Sequence, residues 1–204
     1  MLFEETEKRV VQLNYEDKFE LSDLYERRLY LNGEVDKIVI ESLVYHILRY
    51  NREDKGKPID TRKPILLYIN SPGGNISDGY GLIDAILDSN TPIYTINQGL
   101  CASMAFLIFI AGIKRYSMRR SEFLMHDGKI SGWDSISKMK DRMEFETIQL
   151  ETMTKKYVLE RTKISSDLYD MKYRVEWYML PDEAKLYGIC TDIVGVDCNI
   201  DSIV

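Results

Sequence analysis

The sequence predicts an α/β layer fold, and two observations carry that prediction. Two short apolar runs, Ile65–Ile69 and Pro92–Ile96, have the length and composition of strands buried inside a covered sheet. Around them lie segments whose apolar residues recur at helical spacing, so strand and helix alternate along the chain.

In order, residues 1 to 26 mix acids, bases and scattered apolar positions and read as an arm, over about 1–19, or a first helix. Arg28 to Gly33 reads as a strand ending at a glycine turn, and Val35 to Tyr50 as an amphipathic helix. Residues 51 to 64, charged and holding two prolines, are a surface loop. After the strand at 65–69, Asn70-Ser-Pro-Gly-Gly74 breaks the chain direction, and Ser77 or Asp78 caps a helix running through Leu87. The strand at 92–96 ends near Gly99, Leu100 to Gly112 is an apolar helix, and Arg115 to His126 reads as a strand pair turning at Arg119-Arg120. Asp134 to Thr162 is a long charged helix whose loosely spaced apolar residues predict that it projects, either as a plain surface helix or as an oligomer contact. Ser165 or Ser166 caps a short helix, Glu183 to Gly188 is a helix stopped by glycine, and Ile193-Val194 is a last strand.

Composition bounds the function. A chain of 204 residues with 45% hydrophobic and 29% charged residues is expected to form one globular domain over 1–204. A formal charge of -6 without a dominant basic stripe argues against nucleic acid, because phosphate binding needs clustered Lys and Arg. The apolar stretch 100–113 falls short of the roughly 20 residues that span a bilayer, so no membrane partner is expected. Three cysteines without a CxxC pair fit a reducing compartment, and the cytoplasm is the expected location.

A serine hydroxyl becomes a useful nucleophile only where a base takes its proton and amide donors receive the oxyanion. Ser103, at the start of the apolar helix among Cys101, Ala102 and Ala105, meets the first condition with His126, which ends a strand. Gly73-Gly74 and the start of the Ser103 helix offer unhindered N–H groups. His46 falls on the amphipathic helix and reads as a core or edge residue. Cys101 reads as a small buried filler, and Asp127 as pointing away from His126 on the opposite strand face.

These residues resemble the Clp protease proteolytic subunit over about residues 20 to 196. Tyr68-Ile-Asn-Ser-Pro-Gly-Gly74 resembles its glycine-rich substrate-binding segment, Gly99-Leu-Cys-Ala-Ser103-Met104-Ala105 its nucleophile motif, and Leu124-Met-His126 its histidine strand. Pro181 to Ile189, with Asp192 beyond it, is similar to the family's C-terminal helix. The resemblance implies a ClpP/crotonase-like spiral of βαβ units, with a head over about 20–130 and 165–204 and a handle helix over about 134–162. It implies Ser103 as nucleophile, His126 as base, and oxyanion donors at Gly74 and Met104, with Gly73 and Gly74 binding substrate. The family's triad aspartate aligns with Glu176, an acid one methylene longer, and Val175 stands where the family usually has an arginine.

The resemblance further implies heptameric rings stacked as a tetradecamer, unfolded polypeptide substrates, and a hexameric Clp-type AAA+ ATPase that uses ATP. The chain itself would need no metal or cofactor. Leu66 and Tyr68 match part of the family's apolar docking pocket for that ATPase, with Gln98 replacing an apolar residue there. Two rivals remain at this level: an inactive ring subunit that keeps the scaffold, and a crotonase-type acyl-CoA enzyme that shares the spiral.

Overall fold

The computed structural model describes residues 15–128 and 134–204. The expected N-terminal arm therefore lies outside the described residues up to position 14, and its remainder opens helix α1, Tyr15–Tyr25. Strands β1 (Arg28–Val35), β2 (Ile65–Gly74), β3 (Ile93–Ala102), β4 (Lys114–Met118) and β7 (Asp192–Val194) lie side by side in that order, each pair parallel. Two shorter strands branch from this row. β5 (Glu122–Met125) runs parallel to the end of β3, and β6 (Trp177–Met179) runs antiparallel to β5.

Helices α2 (Lys37–Glu53), α3 (Ile76–Leu87) and α4 (Met104–Ile110) connect the parallel strands and cover one face of the sheet. Leu43 and Ile47 of α2, Leu82 and Ile86 of α3, and Phe106 and Phe109 of α4 pack with Leu31, Leu67 and Ile69 in one core. Because strand side chains alternate, Leu66, Tyr68 and Ile96 emerge on the other face, where they form a second cluster with Tyr116 and Val194. Ile203, in the 3-10 turn Ile200–Ile203, closes this cluster, and the Tyr68 hydroxyl donates to the Ile203 carbonyl. Leu66 and Tyr68, the residues tied by resemblance to partner docking, thus lie buried beneath the chain's own last turn.

Several boundaries differ from the sequence reading, each for a physical reason. β2 continues through Pro72 to Gly74 by taking one extra residue itself: it advances three positions from Asn70 to Gly73 while its partner β1 advances two from Asn32 to Glu34, after which the pairing resumes. Val35 belongs to β1, and Asp36 caps α2 by accepting from the Val39 N–H at 2.9 Å. Asn75, ahead of Ser77 and Asp78, caps α3 through a 3.0 Å bond from the Asp78 N–H. The apolar run after Gly99 is strand through Ala102, so α4 begins at Met104, four residues later than the composition suggested. β4 and β5 do not form a hairpin: each joins β3 in parallel, β4 along residues 94–97 and β5 along 100–102. The long helical stretch is α5 (Ile136–Ile148), a π-helical segment (Gln149–Thr154) and α6 (Lys155–Arg161), with Val158 buried and Ile136, Met143, Phe145 and Ile148 exposed. Beyond it come α7 (Ser166–Lys172), capped by Ser165, and α8 (Pro181–Leu186), which starts on a proline ahead of Glu183.

One buried ion pair ties the first strand to the end of α2. Arg27, in the left-handed region at φ 62°, meets Asp54 through two bonds of 2.5 and 2.9 Å and stacks over the Tyr50 ring. Lys57 and the Thr91 hydroxyl complete the Asp54 carboxylate at 2.8 and 3.1 Å. These donors, the guanidinium first, hold the Asp54 carboxyl well below the usual carboxylate range.

Candidate active site

Ser103 stands at the junction between β3 and α4 with φ 55° and ψ -123°, a left-handed conformation that costs a side-chain-bearing residue energy. The surroundings hold it there. The Ser103 N–H donates to the Leu124 carbonyl of β5 at 2.9 Å, and Cys101 and Ala102 pair with Phe123 and Leu124 just before it. Such a sharp strand-to-helix turn lifts a hydroxyl clear of the backbone, and it leaves the Met104 N–H, first in α4, without an acceptor inside the helix.

The opposite end of α4 is fixed by two arginines. Arg161 donates to the carbonyls of Ile110, Ala111 and Gly112 at 2.9–3.0 Å, and Arg115 reaches Ile110 at 3.1 Å. Positive charge at a helix C-terminus is favourable, and here it satisfies carbonyls that the helix leaves orphaned. Arg115 is thereby committed to backbone carbonyls and adds nothing to a basic surface patch.

Gly73 forms the wall facing Ser103. A β-carbon built on Gly73 would lie 2.7 Å from both the Ala102 carbonyl oxygen and the Ser103 β-carbon, and 2.9 Å from the Met104 nitrogen, at a φ of +94°. Only glycine permits that approach. Gly74 sits one step on and packs against the Val35 backbone of β1, where a β-carbon would meet the carbonyl oxygen at 2.4 Å. Gly73→Ala should therefore lower stability by about 2–4 kcal/mol and remove activity at Ser103. Thermal unfolding and peptide hydrolysis check this; an alanine variant matching the parent in both would contradict the close approach.

His126 follows the last residue of β5 and lines the same cavity as Ser103. Ile76, Tyr80, Leu107 and Met125 supply apolar wall, and Thr154 joins it, bonded to the Tyr80 hydroxyl. Asp127 also lines this cavity: the strand ends at Met125, so the alternation that would turn Asp127 away no longer applies. On the other side of His126, Glu176 approaches Nδ1 with Oε1 at 3.9 Å, within ion-pair range and longer than a hydrogen bond. The β5–β6 pairing explains the meeting, since Met125 faces Trp177 as the last pair and His126 and Glu176 are the residues just beyond it. Cys101 is fully buried and burial pushes its thiol well up, which disfavours the thiolate a cysteine nucleophile needs. His46 is half-buried on α2, outside the cavity, and burial pushes its imidazole down. Among the described residues no group of three His, Cys, Asp or Glu is placed to hold a metal ion.

Comparison with known proteins gives the lineage. The family model described as Clp protease matches residues 16–197. The chain belongs to the Clp protease family. Curated relatives include the ATP-dependent Clp protease proteolytic subunit 2 of Treponema pallidum, 28% identical over 92% of each chain. The subunit of the same name from Treponema denticola is 32% identical over 74% of this chain and 71% of its own. Proteolytic subunit 3 of Parasynechococcus marenigrum is 29% identical over 83% of each. At these identities the chain is a divergent Clp protease subunit, and its mostly parallel α/β sheet is the ClpP fold. None of the helices among the described residues is long and apolar enough to cross a membrane.

Three parts of this candidate site escaped the sequence reading. Asn70 and Asn97 brace β3 where its register against β2 shifts between Ile69 and Ser71. Asn70 accepts from the Leu100 N–H at 3.0 Å, while Asn97 accepts from the Gly99 N–H at 3.1 Å and donates to the Glu122 carbonyl at 2.9 Å. The available signal was an asparagine at the end of each buried apolar run, a residue type that strands disfavour unless its amide finds partners there. The third is Tyr178, whose hydroxyl donates to Glu176 Oε2 at 3.0 Å, a contact visible only once β6 is placed.

Proposed function

We propose that this chain is a serine endopeptidase subunit that hydrolyses unfolded polypeptides inside an oligomeric chamber. The observation that carries the reading is that Ser103 and His126, far apart in sequence, line one cavity with Glu176 behind the imidazole. Ser103 Oγ attacks the peptide carbonyl carbon while His126 takes the hydroxyl proton, Nδ1 being turned to Glu176 and Nε2 left for the serine. The tetrahedral oxyanion is received by the Met104 N–H and the Gly74 N–H, the Gly73 N–H being donated already to Ser71 Oγ at 3.1 Å. Collapse expels the amine with the proton from His126, and water then cleaves the acyl-serine by the same path in reverse.

The apolar wall beside Ser103 suits an apolar side chain next to the scissile bond. The exposed Ile136, Met143, Phe145 and Ile148 of α5 support assembly with further copies, in heptameric rings stacked face to face. A Clp-type AAA+ ATPase would feed the chamber and hydrolyse the ATP, this chain itself needing no cofactor, and the cytoplasm would be the setting.

A second reading, an inactive scaffold subunit, draws on one observation: the Glu176 side chain is 54% exposed and stands beyond hydrogen-bond distance of His126. A fluorophosphonate probe followed by peptide mass mapping separates the two. Covalent labelling at Ser103, absent in Ser103→Ala, is the result expected; an unlabelled serine in the assembled protein would leave the scaffold reading standing.

A further inference from the structure

We infer that Tyr178 is a positioning residue for Glu176, holding the longer acid where it can orient His126; this rests on the peptidase reading above. The case begins with strand geometry. In the antiparallel pairing of β5 and β6, Leu124 faces Tyr178 and Met125 faces Trp177, and just past that last pair His126 and Glu176 approach to 3.9 Å. The contacts place the Glu176 carboxylate between His126 and the Tyr178 hydroxyl, and Tyr178 is on the exposed face of β6. Trp177 and Met179 point the other way and are buried, 5% and 2% exposed.

Those two residues pin the strand. Trp177 Nε1 donates to Glu183 Oε1 at 3.2 Å, its ring meets Tyr187 edge-on at 5.2 Å, and Lys172 lies over it at 5.5 Å. A pinned three-residue strand gives Tyr178 a fixed origin. A glutamate has one more rotatable bond than an aspartate, and this one is more than half exposed, so its carboxylate has water-facing alternatives to the imidazole. The two carboxylate oxygens have separate partners, since Oε2 accepts from the Tyr178 hydroxyl at 3.0 Å and Oε1 faces His126 Nδ1 at 3.9 Å. Holding one oxygen restricts the carboxylate to rotations that keep the other beside the imidazole. Tyr178 does not line the Ser103 cavity, so it acts on the reaction through Glu176 alone.

The test is a double-mutant cycle on the assembled protein: the parent, Tyr178→Phe, Glu176→Ala and the double variant, each measured for kcat and KM on a short fluorogenic peptide and for the rate of fluorophosphonate labelling at Ser103. Tyr178→Phe should lower kcat and the labelling rate about tenfold, the order expected for one hydrogen bond to a charged group, with KM within about twofold. In the Glu176→Ala background the same change should do nothing, because the group it positions is gone. An equal loss in both backgrounds would make Tyr178 merely structural, and no loss or a gain in the parent would mean that the phenol is idle or draws the acid away from His126. Absence of parent labelling would sink the peptidase reading itself, whereas labelling with an additive cycle would sink only the role of Tyr178.

Discussion

Ser103→Ala should lower kcat on a fluorogenic peptide by about a million-fold, and His126→Ala should cost nearly as much. The two act as one unit, because without the imidazole the hydroxyl keeps its proton and without the hydroxyl the imidazole has nothing to activate. The double variant should therefore be no slower than the worse single one. A residual acceleration of roughly 10³–10⁴ over the uncatalysed reaction is expected to survive, supplied by binding and by amide donors such as Met104 N–H. Steady-state kinetics with an active-site titrant to exclude contaminating peptidase measures all three. Loss factors that multiply in the double variant would mean that Ser103 and His126 serve separate steps.

Asp54→Asn should destabilise the fold by about 3 kcal/mol, because it removes the buried carboxylate that Arg27 bonds twice and leaves the guanidinium only the more exposed Glu53 carboxylate at 3.7 Å. For a chain of this size that corresponds to a fall in melting temperature on the order of 10 °C. The pH dependence follows from the direction of the shift. The folded state holds the Asp54 carboxyl below its usual range, so the unfolded state binds the extra proton first as the solution becomes acidic. Its contribution is complete above the unfolded value of about 3.9 and is lost as pH falls below it. Denaturant titrations between pH 7 and pH 3 should show the parent losing stability faster than Asp54→Asn at the acid end, so that the gap between them narrows. A gap that stays constant or widens on acidification would mean that the ion pair is not what Asp54 contributes.

How far the site was legible in the residues varied with the kind of signal. Ser103, His126 and the Gly73-Gly74 pair were open to sequence reasoning because each carries a local signature: a hydroxyl among small neighbours, one of two histidines in the chain, a double glycine after a buried run. Length and apolar composition located the strands at 65–69 and 92–96 but misplaced the start of α4, since a fully apolar stretch looks the same as buried strand or buried helix. The strand pair around Arg119-Arg120 read as a hairpin because nearby strands usually pair with each other. β3 instead extends to Ala102 and offers a second stretch of edge to β5. Asn70 and Asn97 left only the signal of an asparagine closing a buried run, because their partners include main-chain groups of neighbouring strands, and Tyr178 left none, because its tie to Glu176 depends on how β6 sets their side chains.

By itself the sequence determined that strands and helices alternate, which runs are buried, and which side chains are candidates for nucleophilic and basic chemistry, because composition and spacing along a chain record those properties directly. Only the tertiary structure decided that Ser103 takes a left-handed turn against Gly73, that β5 and β6 bring Glu176 alongside His126, and that Ile203 covers Tyr68. Each of these is a meeting of distant segments. Sheet register and packing set such contacts through three-dimensional distance, a quantity that spacing along the chain does not contain.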